Sequence, residues 1–390
     1  MNATWDAVVI GAGPAGSVAA RELARRGARV LLVDRAAFPR SKVCGCCLNG
    51  AALSALDSIG LGHLAGSCGA VPLTSMHLAA GRISAQFRMP HGVVLSRSAF
   101  DLALVREAEA AGATFLPSTQ ARLEAIEPDA QARNDYPLLA RRARPDTRSI
   151  RLVGETSTQI AARVVILATG LSNGDSRPSL GSRLGGGTIV PADLAPDFYR
   201  PGQLFMATGR GGYVGLVRLE DTRLDVAAAF DASFVRTSGG LGATAEAILS
   251  QTRWPAILGL AELSWKGTPA LTRRRSAVAE HRLFAVGDAA GYVEPFTGEG
   301  MAWAIASAAA LAPIALRAIA KWNDSCMREW ERVHRRTVRR RQWICRAASH
   351  VLRSPMLTGL AVRALSLMPS LSRPVVAALN RPASFQRCRT

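Results

Sequence analysis

With 390 residues, the chain is too long for a small binding module, and we expect a cofactor domain joined to a separate substrate domain. Hydrophobic residues make up 48% of the chain and charged residues 20%, a balance that excludes a largely disordered protein. The formal net charge of +19 rests on arginines spread along the chain, with only three lysines, and we attribute most of it to a compositional bias rather than to nucleic-acid binding.

The start of the chain, its longest apolar stretch and its cysteines all favour a cytoplasmic protein. The strand at residues 8–10 runs directly into glycine-rich sequence, without the cationic and apolar segments of a secretion signal before it. The uncharged run 300–316 is alanine-rich and interrupted by Pro313, which is typical of a buried helix rather than a membrane span. The seven cysteines, an odd number with three crowded at residues 44–47, do not form the pattern of a disulfide framework.

The first predicted elements form a complete βαβ unit over residues 5–34. An apolar strand at residues 7–10 is followed by a glycine turn, a helix at residues 17–26 and a second strand at residues 29–33. The turn reads Gly11-Ala12-Gly13-Pro14-Ala15-Gly16, the fingerprint of a dinucleotide-binding site in the strand-turn-helix context that it requires.

Each part of this fingerprint has a physical role. Gly11 permits the tight turn, Gly13 lets the backbone approach a pyrophosphate, and Gly16 allows close packing of the helix on the strand. The helix N-terminus, which follows Pro14 and Ala15, directs its exposed N–H groups and positive partial charge at the phosphates. At the end of the second strand, the Asp34 carboxylate is placed to accept hydrogen bonds from the adenosine ribose.

The middle of the chain alternates between two kinds of pattern. After a charged, cysteine-rich loop at residues 39–47 and a helix at residues 51–59, apolar and polar residues alternate over 71–89, which predicts strands of an antiparallel sheet. A strand at residues 93–95 and a helix after Arg97 are expected to return to the first domain, with Leu102, Val105 and Ala108 on one buried face.

The next segment contains one strong strand signal. Residues 127–148 show no periodicity and are interpreted as a solvated hairpin excursion or a flexible loop. The β-branched run 162–168 predicts a buried parallel strand that ends at Thr169 and Gly170.

The last third of the chain is predicted to hold short strands and then helices. Residues 176–275 contain short strands such as 224–230, and a strand at 283–286 closes on a second glycine turn. A long helix is expected to begin near Gly298, and the chain beyond Lys321 reads as helical and basic.

These elements predict an α/β fold with a Rossmann-like dinucleotide-binding domain, an inserted antiparallel β-sheet substrate domain and a helical C-terminal extension. The predicted boundaries are 1–70, 93–175 and 276–320 for the dinucleotide-binding domain, 71–92 and 176–275 for the substrate domain, and 321–390 for the extension.

A second motif identifies the nucleotide. Downstream of the fingerprint stand Gly287-Asp288-Ala289-Ala290-Gly291 and Pro295-Phe296-Thr297-Gly298-Glu299-Gly300. Together with Ala168-Thr169-Gly170 and the start of the chain, they resemble the superfamily of FAD-dependent monooxygenases, halogenases and geranylgeranyl reductases, which has the p-hydroxybenzoate hydroxylase-like fold. The resemblance covers roughly residues 5–320 and implies that the cofactor is FAD.

The resemblance also implies which residues bind FAD. Asp288, beside Gly287, would hydrogen-bond the ribityl chain, and the backbone near Gly300 and Met301 would meet the pyrimidine edge of the flavin. A helix that begins there directs its positive end toward the charge that accumulates on reduction. Arg97 matches an arginine that family members send toward the cofactor. Gly170 and the turn from Pro295 to Gly298 are also predicted to contact FAD. Arg35 either covers the adenine or is solvent-exposed.

The loop from Phe38 to Gly45 resembles most closely the geranylgeranyl reductase branch, whose members carry a Cys-Gly pair near the flavin. Cys44 and Gly45 are therefore candidate catalytic residues, with a packed cysteine in a cofactor-lining loop as the alternative. Cys44 and Cys47 also have the spacing of a redox pair, but they do not open a helix after a thioredoxin-like strand. No histidine or further cysteine pair has metal-ligand spacing, so no metal site is predicted.

Tyr213, within Gly211-Gly212-Tyr213-Val214-Gly215, resembles the aromatic strand on the substrate side of the superfamily, and a core tyrosine is the alternative. Trp254 and Trp265 do not form the Trp-x-Trp pair of flavin halogenases, which disfavours halogenation. No second glycine fingerprint is present, so NAD(P)H is expected to bind transiently as the reductant.

Two enzymatic functions remain open at this stage. The Cys44-Gly45 loop favours reduction of carbon–carbon double bonds of a hydrophobic, isoprenoid-like substrate by hydride from N5 of the reduced flavin. The alternative is hydroxylation of an aromatic or polyketide substrate through a flavin C4a-hydroperoxide, which the same fold supports.

The C-terminal segment suggests a membrane surface rather than nucleic acid. Eight arginines lie between residues 328 and 346, and no acidic residue follows Glu331. Residues 351–380 alternate Leu, Val and Met with Arg and Ser, which is typical of an interfacial helix. The segment either contacts the inner face of the membrane peripherally or packs on the rest of the protein; nucleic acid is not an expected partner.

Overall fold

The fold is built on two large sheets that meet along one cavity. A computed structural model describes residues 4–125, 145–154, 156–172, 176–294, 296 and 298–381. Within these residues there are two eight-stranded sheets and one two-stranded sheet. The predicted α/β fold, with its Rossmann-like part, its second sheet and its helical C-terminal extension, is confirmed.

The first sheet contains the predicted βαβ unit. Its strands are β1 (Thr4–Ile10), β2 (Val30–Val33), β6 (Thr114–Leu116), β7 (Gln120–Leu123), β8 (Arg148–Val153), β9 (Ser157–Leu167), β17 (Ala279–Glu280) and β18 (Leu283–Ala285). The order along the sheet is β17-β18-β9-β1-β2-β6, and β8 pairs with β9 and β7. The central strands pair in parallel, and their apolar residues are buried because helices cover the sheet.

Helix α1 (Pro14–Ala24) connects β1 to β2 and is held between two other helices, α4 (Arg97–Ala110) and α7 (Gly300–Ala320). Ten of its eleven residues are buried, so it packs on nearly its whole circumference. The buried face of α4 includes Leu104, Val105 and Ala108, whereas Leu102, which was predicted to share that face, is only half-buried. Between these helices and the sheet lies the largest apolar core of the described chain.

The second sheet is assembled from two distant parts of the chain. Its order is β15-β11-β14-β13-β12-β4-β5-β3. The strands are β3 (Cys47–Leu48), β4 (Val71–Ala80), β5 (Ile83–Val94), β11 (Leu184–Val190), β12 (Gln203–Gly209), β13 (Gly212–Arg218), β14 (Leu224–Phe230) and β15 (Lys266–Ala270). Neighbours pair antiparallel except β12 and β4, whose parallel pairing joins the two parts. The small third sheet pairs β10 (Ser176–Pro178) with β16 (Arg273–Arg275).

One sequence prediction for this region needs correction. Val93 and Val94 are not a separate strand that returns to the first sheet; they are the end of β5, which is long enough to pair with both β4 and β3. The chain leaves the second sheet only at Leu95. Because β3 is part of this sheet, the cysteine loop is attached to the substrate side and not only to the FAD-binding side. The domain boundaries themselves stay a prediction.

Three further strand predictions can be compared with the structure, and one loop prediction falls mostly outside the described residues. The predicted strands at residues 162–168, 224–230 and 283–286 are confirmed as β9, β14 and β18 to within a few residues. The segment 127–148 was predicted as a loop or hairpin, and all of it up to residue 144 lies outside the described residues.

Helix α7 is apolar and 21 residues long, which is long enough to cross a bilayer. Most of its apolar stretch is buried between α1 and α2 (Gly50–Ser58), as expected for the core helix of a globular domain. The predicted buried helix is therefore confirmed, with Pro313 inside it.

The C-terminal extension consists of helices packed on both sheets. Its helices are α8 (Ser325–His334), α9 (Arg340–Val351), α10 (Pro355–Leu367) and α11 (Arg373–Asn380). Three short helices lie earlier in the chain, namely α3 (Leu64–Ser67), α5 (Ala232–Ser238) and α6 (Leu241–Leu249). Trp330 on α8 is fully buried and its indole N–H donates to the Ala285 carbonyl oxygen at 3.2 Å. Helix α10 packs on β4 and β5, and α11 on α2. Over residues 321–381, the extension is therefore a packed part of the molecule.

Candidate functional site

One cavity of about 1190 Å³ runs from the glycine turn of the first sheet to the C-terminal helices. Its lining includes Gly11, Gly13 and Asp34 at one end, Asp288 and Gly300 in the middle, and side chains of the second sheet at the other end. The cavity is larger than most drug-sized binding sites and has room for a dinucleotide together with a second molecule. It is the candidate functional site.

The glycine turn is constrained by close packing. Gly11 has a φ of +105°, and a Cβ at this position would overlap the carbonyl oxygen of Ala168 at the end of β9. A Cβ at Gly16 would overlap the carbonyl oxygen of Gly11. Gly16 does not line the cavity, so its role is the predicted one of helix packing, whereas Gly11, Gly13, Pro14 and Ala15 line it directly.

The first turn of α1 has free backbone donors that point toward the cavity end. Its N-cap is Gly13, and no side chain caps the helix. Asp34 accepts hydrogen bonds from the Ala12 amide at 2.8 Å and the Ala36 amide at 2.9 Å, which holds the carboxylate beside the turn. Arg35 is exposed at the cavity rim next to it. An uncapped helix start with positive partial charge fits the pyrophosphate of a dinucleotide.

A group of cations lies beside this turn, and sequence reasoning identified only one of them. Arg97 forms a two-pronged ion pair with the buried Asp101, at 2.9 and 2.8 Å, and Arg40 reaches the same carboxylate at 3.3 Å. Arg97, Arg40 and Lys42 all line the cavity. The signal for the two missed residues was the run Arg40-Ser41-Lys42, two residues before Cys44, in a loop already assigned to the cofactor.

Lys42 and Asp288 form the centre of the cavity. Lys42 Nζ lies against Gly170, where a Cβ would meet it at 3.1 Å. Burial lowers the pKa of Lys42, and burial raises the pKa of Asp288, while the charges of Lys42 and Arg97 act in the opposite direction on Asp288. A polar ligand beside these two groups would stabilise their charged forms, because it would replace the hydrogen bonds to water that burial removes.

The second uncapped helix start is that of α7. Its N-cap residue Glu299 makes no capping hydrogen bond to the helix through its side chain, and Gly298, Gly300 and Met301 line the cavity. The carboxylate of Glu299 instead accepts a hydrogen bond from the Cys345 thiol at 3.0 Å. Pro295, predicted as part of this turn, lies outside the described residues.

The polar half of the cavity fits FAD. Two helix starts without side-chain caps face one cavity, and Arg40 Nε and Thr169 Oγ1 are buried at its lining without a hydrogen-bond partner among the described residues. Buried polar atoms of this kind are usually satisfied, so their position at the lining indicates a polar ligand.

The cysteine loop lies where the polar half meets the apolar half. Cys44, Cys46 and Cys47 are free thiols, and Cys44 and Gly45 line the cavity. A hydrogen bond from the Cys46 thiol lowers the pKa of Cys44 to about 5, although burial opposes it, and the charge of Arg97 acts in the same direction. Burial raises the pKa of Cys47. Cys44 therefore loses its proton more readily than Cys46 and Cys47, whose pKa values are raised.

The other half of the cavity is predominantly apolar. The second sheet contributes Met76, Leu78, Phe87 and Met206, and Phe296 packs edge-on against the Tyr213 ring at 5.1 Å. Burial raises the pKa of Tyr213 well above its ordinary range, and the negative charge of the nearby Glu294 carboxylate acts in the same direction.

Glu294 is in turn paired with a buried arginine. Arg183 Nη1 lies 3.2 Å from Glu294 Oε1, and the Arg183 guanidinium lies 5.7 Å from the Tyr213 ring centre. The prediction that Tyr213 lies on the substrate side agrees with its position, but Arg183 and Glu294 were not identified, because nothing in their local sequence marks them.

The comparisons with known proteins agree with this geometry. Residues 4–143 match the FAD binding domain family. A menaquinone reductase of Mycobacterium tuberculosis is 54% identical over 57 residues, which cover 15% of this chain and 14% of that protein. The matched part is therefore a small fraction of the relative's length.

Solved structures show the same fold over almost the whole chain. The flavin-dependent brominase Bmp2 superposes with a TM-score of 0.74 at 15% identity, covering 97% of this chain and 94% of that one. The p-nitrophenol 4-monooxygenase PnpA of Pseudomonas putida superposes with a TM-score of 0.73 at 14% identity, covering 97% and 99%. At these identities the likeness shows the fold, and it includes the C-terminal helices that the sequence resemblance did not reach.

The substitution Gly13→Ala tests the phosphate end of the cavity. The added methyl group would meet Arg40 and Arg97 nitrogens at 3.6 and 3.8 Å, which are ordinary contacts, so the fold is expected to persist. The methyl would stand where the backbone must approach the pyrophosphate, and we expect FAD affinity to fall about tenfold or more, that is by about 1.4 kcal/mol or more.

FAD content from the visible spectrum and titration calorimetry measure this effect. Gly66→Ala is the control, because Gly66 has open space around it. Unchanged FAD affinity in Gly13→Ala would contradict the assignment of the turn.

The substitution Cys46→Ala tests the origin of the Cys44 thiolate. Without the Cys46 thiol, the anion loses a hydrogen-bond donor, so we expect the pKa of Cys44 to rise toward the ordinary thiol value and its alkylation near neutral pH to slow. The pH dependence of iodoacetamide labelling at Cys44, followed by mass spectrometry, measures the change. Cys47→Ala is the matched control and should leave the Cys44 profile in place; equal profiles in both variants would show that Cys46 does not set it.

Proposed function

We propose that this chain, which belongs to the FAD-dependent oxidoreductase superfamily, reduces carbon–carbon double bonds of a hydrophobic, isoprenoid-like substrate. The observation that carries the proposal is the position of Cys44, which lines one cavity where its cationic half meets its apolar half. The 57-residue likeness to a protein named menaquinone reductase supports a reductase with a hydrophobic substrate.

When bound, FAD supplies the hydride for such a reduction. In this proposal Gly11, Gly13 and Asp34 hold its adenosine diphosphate part, and Asp288 with the start of α7 holds the ribityl and flavin part. Arg40, Lys42 and Arg97 add positive charge along the phosphates. NAD(P)H is the proposed external reductant.

Cys44 is proposed to tune the cofactor by its charge. A thiolate held beside the flavin disfavours additional negative charge there, which makes the reduced flavin a stronger hydride donor. The neighbouring cations, above all Arg97, keep the thiolate stable in a half-buried position.

The apolar half positions the substrate. Side chains such as Met76, Phe87 and Met206 exclude water and hold a hydrocarbon chain over the reacting edge. Saturation of a double bond also needs one proton for the second carbon. Tyr213 keeps its hydroxyl proton because burial and the nearby Glu294 carboxylate, itself paired with Arg183, raise its pKa. Tyr213 is therefore the proposed proton donor.

A turnover assay tests the reaction. The FAD-loaded protein is reduced with NAD(P)H without oxygen and offered polyprenyl compounds, including menaquinone, and products are analysed by mass spectrometry. The proposal expects products that have gained two hydrogen atoms in the polyprenyl chain, as located by fragmentation; a gain confined to the quinone ring of menaquinone would show quinone reduction instead. Products that form only in air and contain ¹⁸O from labelled O₂ would replace it by the monooxygenase alternative, which the likeness of fold also allows.

The substitution Tyr213→Phe tests the proton donor. We expect kcat to fall by roughly 10²–10⁴-fold, the usual contribution of a general acid, with little change in FAD content because the ring still packs on Phe296. Tyr199→Phe is the matched control, since the buried Tyr199 hydroxyl donates to the Pro255 carbonyl at 3.0 Å and does not line the cavity. A Tyr213→Phe variant with normal kcat would remove Tyr213 from the mechanism.

A further inference from the structure

Helix α10 is apolar on two opposite faces. Its inner face buries Thr358 and Val362 against the second sheet and turns Leu365 into the cavity wall. Its outer face presents Met356 and Leu367, which are 72% and 76% exposed. A helix that is apolar all round normally lies in a core or in lipid, so the outer face of α10 calls for a partner.

The outer apolar residues form one continuous stretch of chain. Among the described residues, eight of the thirteen exposed large hydrophobic side chains fall between positions 351 and 375. We call the following seven the apolar ridge: Met356, Leu357, Leu360, Leu367, Met368, Leu371 and Val375. Single exposed apolar residues are common on protein surfaces, but a concentrated group marks an interaction site.

The charges around the ridge have one sign. Arg363 and Arg373 are exposed on α10 and α11, and Arg353, just before α10, donates to the Gly181 carbonyl oxygen at 2.7 Å. No acidic residue follows Glu331. A second copy of the chain would bring arginine against arginine at this surface, whereas an anionic surface would complement it.

The length of α10 determines whether it could span a bilayer or only lie at its surface. A helix needs roughly 20 apolar residues to cross a bilayer, and α10 has 13 residues. An apolar face flanked by arginines on a short helix is instead suited to the interface, with the apolar side chains among the acyl chains and the guanidinium groups at the lipid phosphates.

The ridge and the cavity share the same two helices. Leu365 and Val376 line the cavity from α10 and α11, and Leu371 and Val375 are exposed outside while also contributing to its lining. The apolar half of the cavity is therefore separated from the ridge by little more than the thickness of these helices.

We propose that α10 and α11 dock the protein on the surface of an anionic lipid bilayer through the apolar ridge. The docked orientation places the apolar half of the cavity next to the acyl chains. A hydrophobic substrate can then pass between the bilayer and the cavity at the helices without crossing water. Docking does not depend on the reaction proposed above, because the ridge and its charges lie outside the polar half of the cavity.

Vesicle flotation with the full FAD-loaded chain tests the proposal. We expect the protein to float with vesicles of equal parts phosphatidylglycerol and phosphatidylcholine, and to remain unbound with phosphatidylcholine alone or in high salt. The triple variant Met356→Glu, Leu360→Glu, Leu367→Glu should lose about tenfold or more of the binding, since it places three negative charges on the ridge. None of these three residues lines the cavity.

The matched control changes three exposed apolar residues elsewhere, Ile83→Glu, Leu194→Glu and Leu258→Glu, which are 38%, 45% and 80% exposed. The control should float like the unchanged chain, and the FAD spectrum of each variant checks that it is folded. Hydrogen exchange over residues 355–378 should slow on anionic vesicles in the unchanged chain and in the control variant, and not in the ridge variant.

Three results would overturn docking. These are no flotation of the unchanged chain, equal loss of binding in both triple variants, or equal binding to neutral and anionic vesicles. A chain that stays off the vesicles and is a dimer in solution, with the dimer lost only in the ridge variant, would assign the ridge to contact between two copies instead.

Discussion

The structure depends on the close approach of the glycine turn to the end of β9. Gly11 passes so near the Ala168 carbonyl, and Gly16 so near the Gly11 carbonyl, that no side chain fits at either position. This packing fixes the start of α1 at the edge of the sheet with its N–H groups uncapped. The cavity, the cations beside it and the α7 start opposite are all arranged around that fixed point. Side chains larger than glycine in this turn would occupy the space at the end of the cavity that the turn borders.

The cavity is divided by charge, and this division explains the chemistry proposed for it. Positive groups from α4 and the cysteine loop collect at the polar half, where Arg97 and Arg40 share the buried Asp101. Apolar side chains of the second sheet form the other half. Cys44 lies at the boundary because β3 ties its loop to β5 of the second sheet. In the proposed reaction, a charged group held there would act on the cofactor and face the substrate at the same time.

The C-terminal helices are an integral part of the packed structure. The Trp330 indole hydrogen-bonds to strand β18 of the first sheet, and α10 packs on β4 and β5 of the second sheet. The same segment closes the apolar half of the cavity and presents exposed apolar residues outside it. Its basic composition and its packing are therefore compatible: the inner face is needed for the cavity, and the outer face remains available.

The sequence by itself determined the α/β fold, the FAD fingerprint and the Cys44 loop, because glycine spacing, strand periodicity and turn motifs are local properties of the chain. The tertiary structure alone decided which distant residues meet. Lys42 against Gly170, Arg183 between Tyr213 and Glu294, and α10 at the cavity are contacts between segments tens to hundreds of positions apart, and no local pattern records them. The position of residues 93 and 94 in β5 was likewise set by pairing with β3 and β4, since a strand's own residues do not specify its partners.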